Sequence, residues 1–453
     1  VNQTVNNKRY ALIVGMGATG YSIARYLQNK GEAFHIVDTR TSSLMEEQFA
    51  KAFPEAQRYF VEIDEGIIAG AHEIYLSPGV SRDEHIITKA LALGKSVIGD
   101  IELFLRAVDK PVIGITGSNG KSTVTTLVGL MLKEDGRNVA VGGNIGTPAL
   151  ELLNTQADIY VLELSSFQLE SVTKPNLFIA CNLNISADHM DRYDSISAYV
   201  MAKQKIFLGA KNAIYNLDDP LTHPPVFDGM MRYGFGLESG FADDEKHIIF
   251  SPQNGWLSFD HQKIVSKDQI KLKGIHNVRN ALAALAISGV AGVSFDACKN
   301  VLAAFSGLPH RCEFIAEYEG VTYINDSKAT NVGATKAAID GLAAEFNKII
   351  LIAGGEGKGA DFSELGKSIR QNIDTLVLIG KDGEHIAETV GKDINAIFAS
   401  DMNDAVQKAA TNAGLDDLVL LSPACASFDM FNSFEERGDV FSDCVHTLTE
   451  RCV

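Results

Sequence analysis

Positive charge is in short supply in this 453-residue chain: 40 lysines and arginines stand against 57 aspartates and glutamates, a formal net charge of -17 at pH 7. So acidic a surface argues against nucleic acid or an anionic membrane as partner, and anionic substrates must be held by local lysines and backbone amides rather than by the global field. Cysteine is also scarce. The six thiols, at 181, 298, 312, 425, 444 and 452, include no Cys-x-x-Cys pair, which speaks against a disulfide framework and predicts reduced, structural cysteines in a cytoplasmic protein. No apolar run approaches the length of a membrane span, and the short stretch 11–14 leads straight into glycines instead of forming a signal-peptide core. Low-complexity tracts and short-period repeats are missing too. What remains, at 46% hydrophobic and 21% charged residues, is an ordinary globular composition long enough for about three domains.

The most informative stretch is 114–123, G-I-T-G-S-N-G-K-S-T. A short β-branched segment (111–113) precedes it, and Val124, Leu127, Val128 and Met131 follow at helical spacing, so a strand, a glycine loop and a helix are predicted in that order. Gly117, Ser118, Asn119 and Gly120 can turn backbone N–H groups onto an anion, the helix N-terminus adds its dipole, and Lys121 brings a mobile charge. Ser122 or Thr123 can place a hydroxyl on magnesium. The loop is a variant of G-x-x-x-x-G-K-[ST], because position 115 is Ile and Gly114 lies one residue early.

A strand at 158–162 ends in Glu163-Leu164-Ser165-Ser166-Phe167-Gln168, and an acid so placed after a phosphate loop is a natural magnesium partner; a solvated helix-capping role is the alternative for Glu163. The strand 138–141 leads to Gly142-Gly143-Asn144, offering an amide near the phosphates. After the strand 177–183 comes Asp188-His189-Met190-Asp191-Arg192, where His189 between two acids is read as a metal or substrate group. Lys203 and Lys205, on a helix expected from about 197 to 208, read as surface lysines. Asn277 and Asn280 share one helical face and suit either an adenine edge or helix-start capping.

Other glycine turns flank this centre. The strand 10–14 precedes Gly15, Gly17 and Gly20, and the strand 33–37 ends at Asp38, where a dinucleotide fold places its ribose acid; Thr39 and Arg40 suit phosphate or uracil equally, so the nucleotide is left open. Ser77-Pro78-Gly79 closes the strand 73–76 as either a ligand loop or a plain turn. Beyond a linker at 307–309, strands at 321–325, 348–353, 375–379 and 417–421 end in polar clusters, which reads as one face lined for a ligand. Cys425 there reads as a packed thiol.

Together the motifs resemble the Mur ligases over essentially the whole chain: G-x-T-G-S-N-G-K-S-T, E-L-S-S-F-Q-L, D-H-M-D-R-Y, G-x-H-N-x-x-N, L-P-H-R-x-E, N-D-S-K-A-T-N, G-G-E-G-K-G-A-D-F and S-P-A-C-A-S-F-D-x-F. The last three point to the D-glutamate-adding branch. The resemblance implies an α/β fold in three domains: an N-terminal Rossmann-like domain (1–99) binding UDP, a central P-loop ATPase-type domain with a mostly parallel sheet (100–307), and a C-terminal Rossmann-like domain (308–453) carrying the incoming amino acid. It implies ATP-dependent amide formation between UDP-N-acetylmuramoyl-L-alanine and D-glutamate through an acyl phosphate, in peptidoglycan precursor synthesis, by a cytoplasmic monomer with ATP and two magnesium sites.

By the same resemblance, Ala18, Thr19, Asp38, Thr39, Arg40, Ser77 and Gly79 would meet the uridine diphosphate, and Asn144, Ser165 and His189 the muramoyl part. Lys121 and its loop would hold ATP phosphates, with Asn277 and Asn280 at adenine and Arg311, Asp326 and Lys328 reaching over from the third domain. Ser122, Thr123, Glu163, His189 and a carbamylated Lys203 would serve the metals. Thr330, Lys358, Ser427 and Phe434 would receive D-glutamate. A sibling ligase such as a folylpolyglutamate synthase lacks the N-terminal G-x-G-x-x-G and the third-domain cluster; an NAD-linked oxidoreductase leaves Lys121 idle; a nucleotide switch leaves two ligand domains unexplained.

Overall fold

A computed structural model describes residues 9–450 apart from 44, 62, 189, 191, 238–246, 254, 260, 261, 273, 344, 392 and 393. Three sheets follow one another along the chain. The first holds five parallel strands in the spatial order Arg58–Phe60, Phe34–Asp38, Tyr10–Val14, Ala71–Leu76, Val97–Gly99. Its order reverses between Tyr10–Val14 and Ala71–Leu76, and a crevice opens at the carboxyl ends of strands where such a reversal occurs. The glycine loop and the Ser77 turn meet there.

The second sheet runs Gln262–Ser266, Trp256–Phe259, His247–Gln253, Met231–Phe235, Asn212–Asn216, Ile179–Asn182, Val112–Thr116, Ile159–Glu163, Val139–Gly143, parallel except where Trp256–Phe259 and Gln262–Ser266 fold back as an antiparallel edge. The third is Glu313–Tyr318, Val321–Asn325, Leu418–Leu421, Ile349–Gly354, Thr375–Ile379, Asn395–Phe398, antiparallel only at its first strand. Strand ends differ from the sequence reading by a residue or two. The strand expected at 158–162 takes in Glu163, because this residue still stands in register between Ile115 and Gly143 of the flanking strands and its C=O accepts from Asn144 N–H at 2.9 Å.

Period-two side chains explain the layering. Ile113, Ile115 and Val161 face the helices Lys121–Glu134 and Ile275–Val290, while Tyr160, Leu162 and Ala180 face the opposite way. That second layer is continuous with Ala11, Ile13 and Leu27 of the first sheet's core, so the first two units share buried apolar surface. The third unit has its own cores and meets the second mainly through the pairing of Ile275–Val290 with the helix Val332–Leu342.

Candidate active site

The phosphate loop needs its glycines for conformation and for space. Gly117 and Gly120 have φ of 154° and 81°, and a Cβ on Gly120 would run into the side chain of Asn280. Around them the loop is tied down: Asn119 N–H donates to Asn184 Oδ1 (2.8 Å), Asn184 Nδ2 returns a bond to Asn119 O (3.0 Å), and Ser118 Oγ donates to Ser186 O (3.0 Å). Lys121 folds back onto the carbonyls of Gly117 and Ser118, at 2.8 Å each. Burial lowers its pKa, opposed by the charge of Glu163.

Glu163 is 2% exposed, so the solvated capping alternative does not hold. Its carboxylate accepts from Ser122 Oγ (2.7 Å) on one oxygen and from Asn144 Nδ2 (2.7 Å) on the other. Ser122 Oγ in turn accepts from Nη2 of Arg311 at 2.7 Å, a bond that spans 189 residues and crosses from the third unit to the second. Carboxylate and hydroxyls, Thr123 being buried beside them, are hard oxygen donors of the kind magnesium takes. Among the described residues no group of three or more His, Cys, Asp or Glu gathers.

Lys203 is the clearest departure from the sequence reading. It is not a surface lysine: the side chain is 1% exposed, Nζ donates to Gly117 O (2.9 Å) and lies 4.7 Å from the centre of the Tyr199 ring. Burial, with Lys121 close by, pushes its pKa well below the ordinary lysine value. The helix itself is shorter than expected, Ile196–Gln204, followed by a 3₁₀ turn at Lys205–Phe207.

A cavity of about 340 Å³ lies beside the loop, lined among others by Thr123, His276, Asn277, Asn280, Arg311 and Lys328. Asn280 Nδ2 donates to Asn277 Oδ1 (3.1 Å); Gly274, not either asparagine, caps this helix. Arg311, Asp326 and Lys328 enter from the third unit. Burial lowers Arg311, lifts Asp326 to about 7 against the bonds from Ser422 and Cys312, and lowers Lys328 to about 8, helped by Arg311. Lys328 Nζ stands 3.7 Å from the centre of the Phe434 ring.

In the first unit the glycine loop and the Ser77 turn pack together, Ser77 Oγ donating to Gly15 O (3.2 Å). Ala18 and Thr19 open the helix Ala18–Asn29, whose N-terminus faces this crevice. Asp38 is buried and accepts from Met16 N–H (2.8 Å) and from Arg40 Nε (2.8 Å); burial pushes its pKa up, but these bonds more than offset that and hold it below the usual carboxylate range. Thr39 is half-buried next to it and Gly79 is exposed on the turn. Ser165 forms a capping box with Gln168, accepting from its N–H at 3.2 Å.

Thr330, Lys358, Ser427 and Phe434 all lie on loops or a helix start beyond strands of the third sheet, with Ser427 buried, Thr330 and Phe434 half-buried, and Lys358 exposed 5.5 Å from the Phe428 ring centre. Cys425 is a buried thiol, pushed up to about 12 by burial, in keeping with a packing role. His189 lies outside the described residues.

Two arginines carry more of the arrangement than the motifs suggested. Arg437 is 1% exposed and donates to Ser327 Oγ (3.0 Å), Ser327 O (2.8 Å) and Cys425 O (3.1 Å), clamping together the loops that carry Ser327 and Cys425. Arg192 reaches into the first unit. Neither has a readable local signal, since an arginine in a polar stretch usually points to solvent.

Family models match almost end to end: a "Mur ligase MurD-like, N-terminal domain" over residues 9–99, a "Mur ligase middle domain" over 115–288 and a "Mur ligase, glutamate ligase domain" over 310–425. Among curated relatives, the UDP-N-acetylmuramoylalanine–D-glutamate ligase of Saccharophagus degradans is 51% identical over 95% of this chain and 96% of its own. That of Teredinibacter turnerae is 47% identical, covering 99% and 100%, and that of Pseudomonas aeruginosa 44%, covering 98% and 99%. Among solved structures, a pseudomurein peptide ligase type C from Methanothermus fervidus has a TM-score of 0.62 at 20% identity, covering 97% of this chain and 100% of that one. A MurF ligase from Thermotoga maritima in complex with ADP has 0.59 at 17%, covering 98% and 100%. At those identities the likeness speaks for the fold.

Proposed function

The chain belongs to the Mur ligase family, and from that premise we propose that it joins D-glutamate to UDP-N-acetylmuramoyl-L-alanine at the expense of ATP, in peptidoglycan precursor synthesis. The observation that carries this reading is the bond from Arg311 through Ser122 to Glu163, which brings a third-unit cation onto the phosphate loop. The units divide at residues 99/100 and 307/308.

ATP lies with its phosphates on Gly117–Thr123 and its base against Asn277 and Asn280. Lys121 swings from the loop carbonyls onto the transferring phosphoryl group, and Arg311 and Lys328 add charge from the third unit. Asp326 holds the Cys312 N–H and Ser422 hydroxyl beside Arg311. Glu163, Ser122 and Thr123 would hold magnesium, which when bound neutralises charge developing on the phosphate oxygens. Burial of Lys203 favours the free amine, the form that takes up CO2, and as a carbamate it would present an anionic oxygen for a second magnesium site.

The uridine diphosphate occupies the crevice of the first sheet, with Ala18 and Thr19 at the helix N-terminus, Asp38, Thr39 and Arg40 beyond the second strand, and Ser77 and Gly79 on the turn. Asn144 and Ser165 meet the muramoyl part. The alanyl carboxylate attacks the γ-phosphorus and ADP leaves. The amine of D-glutamate, held by Thr330, Lys358, Ser427 and Phe434, then attacks the acyl phosphate carbon; the tetrahedral species loses phosphate and the nitrogen gives up its proton, leaving the amide. Docking of the third unit keeps water from the acyl phosphate.

Phosphate release from ATP, magnesium and UDP-N-acetylmuramoyl-L-alanine tests this. Release is expected with D-glutamate and absent with L-glutamate, meso-diaminopimelate or D-alanyl-D-alanine; no release with any acceptor would overturn the reading.

A further inference from the structure

The guanidinium of Arg192 joins the first two units. Nη1 donates to Pro78 O (2.9 Å) and Nη2 to Val80 O (3.2 Å), the two carbonyls on the outer side of the Ser77–Val80 turn, while Nη2 also approaches Glu170 Oε2 at 3.5 Å. The guanidinium carbon stands 4.0 Å from the centre of the Phe167 ring, which also stacks on Tyr193 at 6.0 Å and 15°. Phe167 belongs to the capped turn that follows Glu163. One planar cation therefore grips a turn of the first unit while lying on a ring of the second.

Both of its partners abut the site. The Ser77 turn packs so tightly on the glycine loop that a Cβ at Gly15 would meet Ser77 Cβ at 2.7 Å. At its other end, the segment carrying Arg192 joins the phosphate loop through Ser186 N–H to Ser118 Oγ (3.0 Å), and the third unit through Asp188, which accepts from Asn331 Nδ2 at 3.3 Å. All three units thus touch residues 186–192.

We propose that Arg192 is a positioning residue that aligns the nucleotide-sugar turn with the Glu163–Ser122 cluster, so that the alanyl carboxylate is presented to the phosphoryl group at the correct distance. This rests on the reading of the first unit as the UDP-sugar site. Two properties of arginine are used at once, the wide planar fork whose ends reach separate carbonyls and the flat face that stacks on a ring; the compact ammonium of lysine has no flat face to stack.

The test is steady-state kinetics and ligand-induced thermal shifts on the full chain, for R192A, R192K and F167L. Expected for R192A are an increase of about tenfold in KM for UDP-N-acetylmuramoyl-L-alanine and a fall of about 100-fold in kcat/KM for it, with KM for ATP within about twofold of the wild-type value. R192K should behave like R192A, and F167L, which keeps the hydrogen bonds, should move the same constants by a smaller factor. UDP-N-acetylmuramoyl-L-alanine should shift the melting temperature of the wild type and much less that of R192A, while the shift given by ATP persists. Wild-type constants in R192A, full rescue by lysine, or equal losses toward ATP and the UDP-sugar would overturn the proposal. If R192A does not fold, F167L alone decides, its KM for the UDP-sugar rising or staying put. A wild type that binds ATP but shows no shift with the UDP-sugar would instead remove the nucleotide-sugar reading on which the proposal rests.

Discussion

Asp100 begins the helix Asp100–Ala107 with its carboxyl buried, one oxygen 3.4 Å from Gln168 Nε2 and the other unpartnered. Burial lifts its pKa from 3.8 to about 6 despite the hydrogen bonds. The folded state therefore keeps the proton longer than the unfolded chain, and stability is lost as pH rises from about 4 to about 6. Replacing Asp100 by Asn should stabilise the protein by at most about 3 kcal/mol at pH 8 and by nothing at pH 4, as read from urea unfolding at the two pH values. Lys328, lowered to about 8, sheds its charge just above neutrality. KM for ATP should then climb above pH 8, and K328R, whose guanidinium stays charged, should flatten that limb; an unchanged profile would count against a phosphate contact. Glu163 was legible from its place at a strand end. E163Q should raise the magnesium concentration needed for half-maximal rate by at least ~10-fold, since even outer partners of a metal site cost that much.

At the scale of elements, strand–glycine–helix units were readable because β-branched runs, glycines and helical spacing agree with one another. Gly120, with its left-handed φ, is a point where element and site coincide. G120A should cost about 1–2 kcal/mol from backbone strain alone and, by pushing Asn280 aside, weaken ATP binding; urea unfolding reads the first and isothermal titration calorimetry the second. A neutral G120A would mean the loop is not held against Asn280. The helix Ile196–Gln204 shows where pattern reading fails. Its buried residues are Tyr199, Ala202 and Lys203, whereas Met201 is 71% exposed. An amine turned inward and an apolar side chain outward invert the rule on which periodicity depends, and the nearby carbonyl of Gly117, the hydroxyl of Thr116 and the ring of Tyr199 explain why Lys203 goes in.

For the molecule as a whole, the contact between the second and third units contains His276, whose pKa burial lowers to about 4 and whose Nε2 lies 3.4 Å from Cys312 Sγ. A histidine kept neutral by folding supports stability above about pH 6.5, and that support is lost as pH falls toward 4. Cooperative unfolding should weaken in that window, and H276Q should remove the share of the pH dependence that His276 contributes; a second unfolding step appearing only in the wild type below pH 6 would locate the effect at this contact. By itself the sequence determined which groups stand at the strand ends: the glycine loop with its lysine, the acid two strands on, the asparagine pair and the glycine turns, because each of those needs particular residues at particular local spacings. It also determined the order of the three α/β units, through runs whose period and punctuation are local. Only the tertiary structure decided that Arg311 meets Ser122 across 189 residues, that Arg437 and Arg192 turn inward to clamp loops, and that Lys203 is buried beside Lys121. Those outcomes depend on which carbonyls, rings and charges the packing brings opposite a side chain, and no pattern along the chain encodes a neighbour that arrives from a distant part of the sequence.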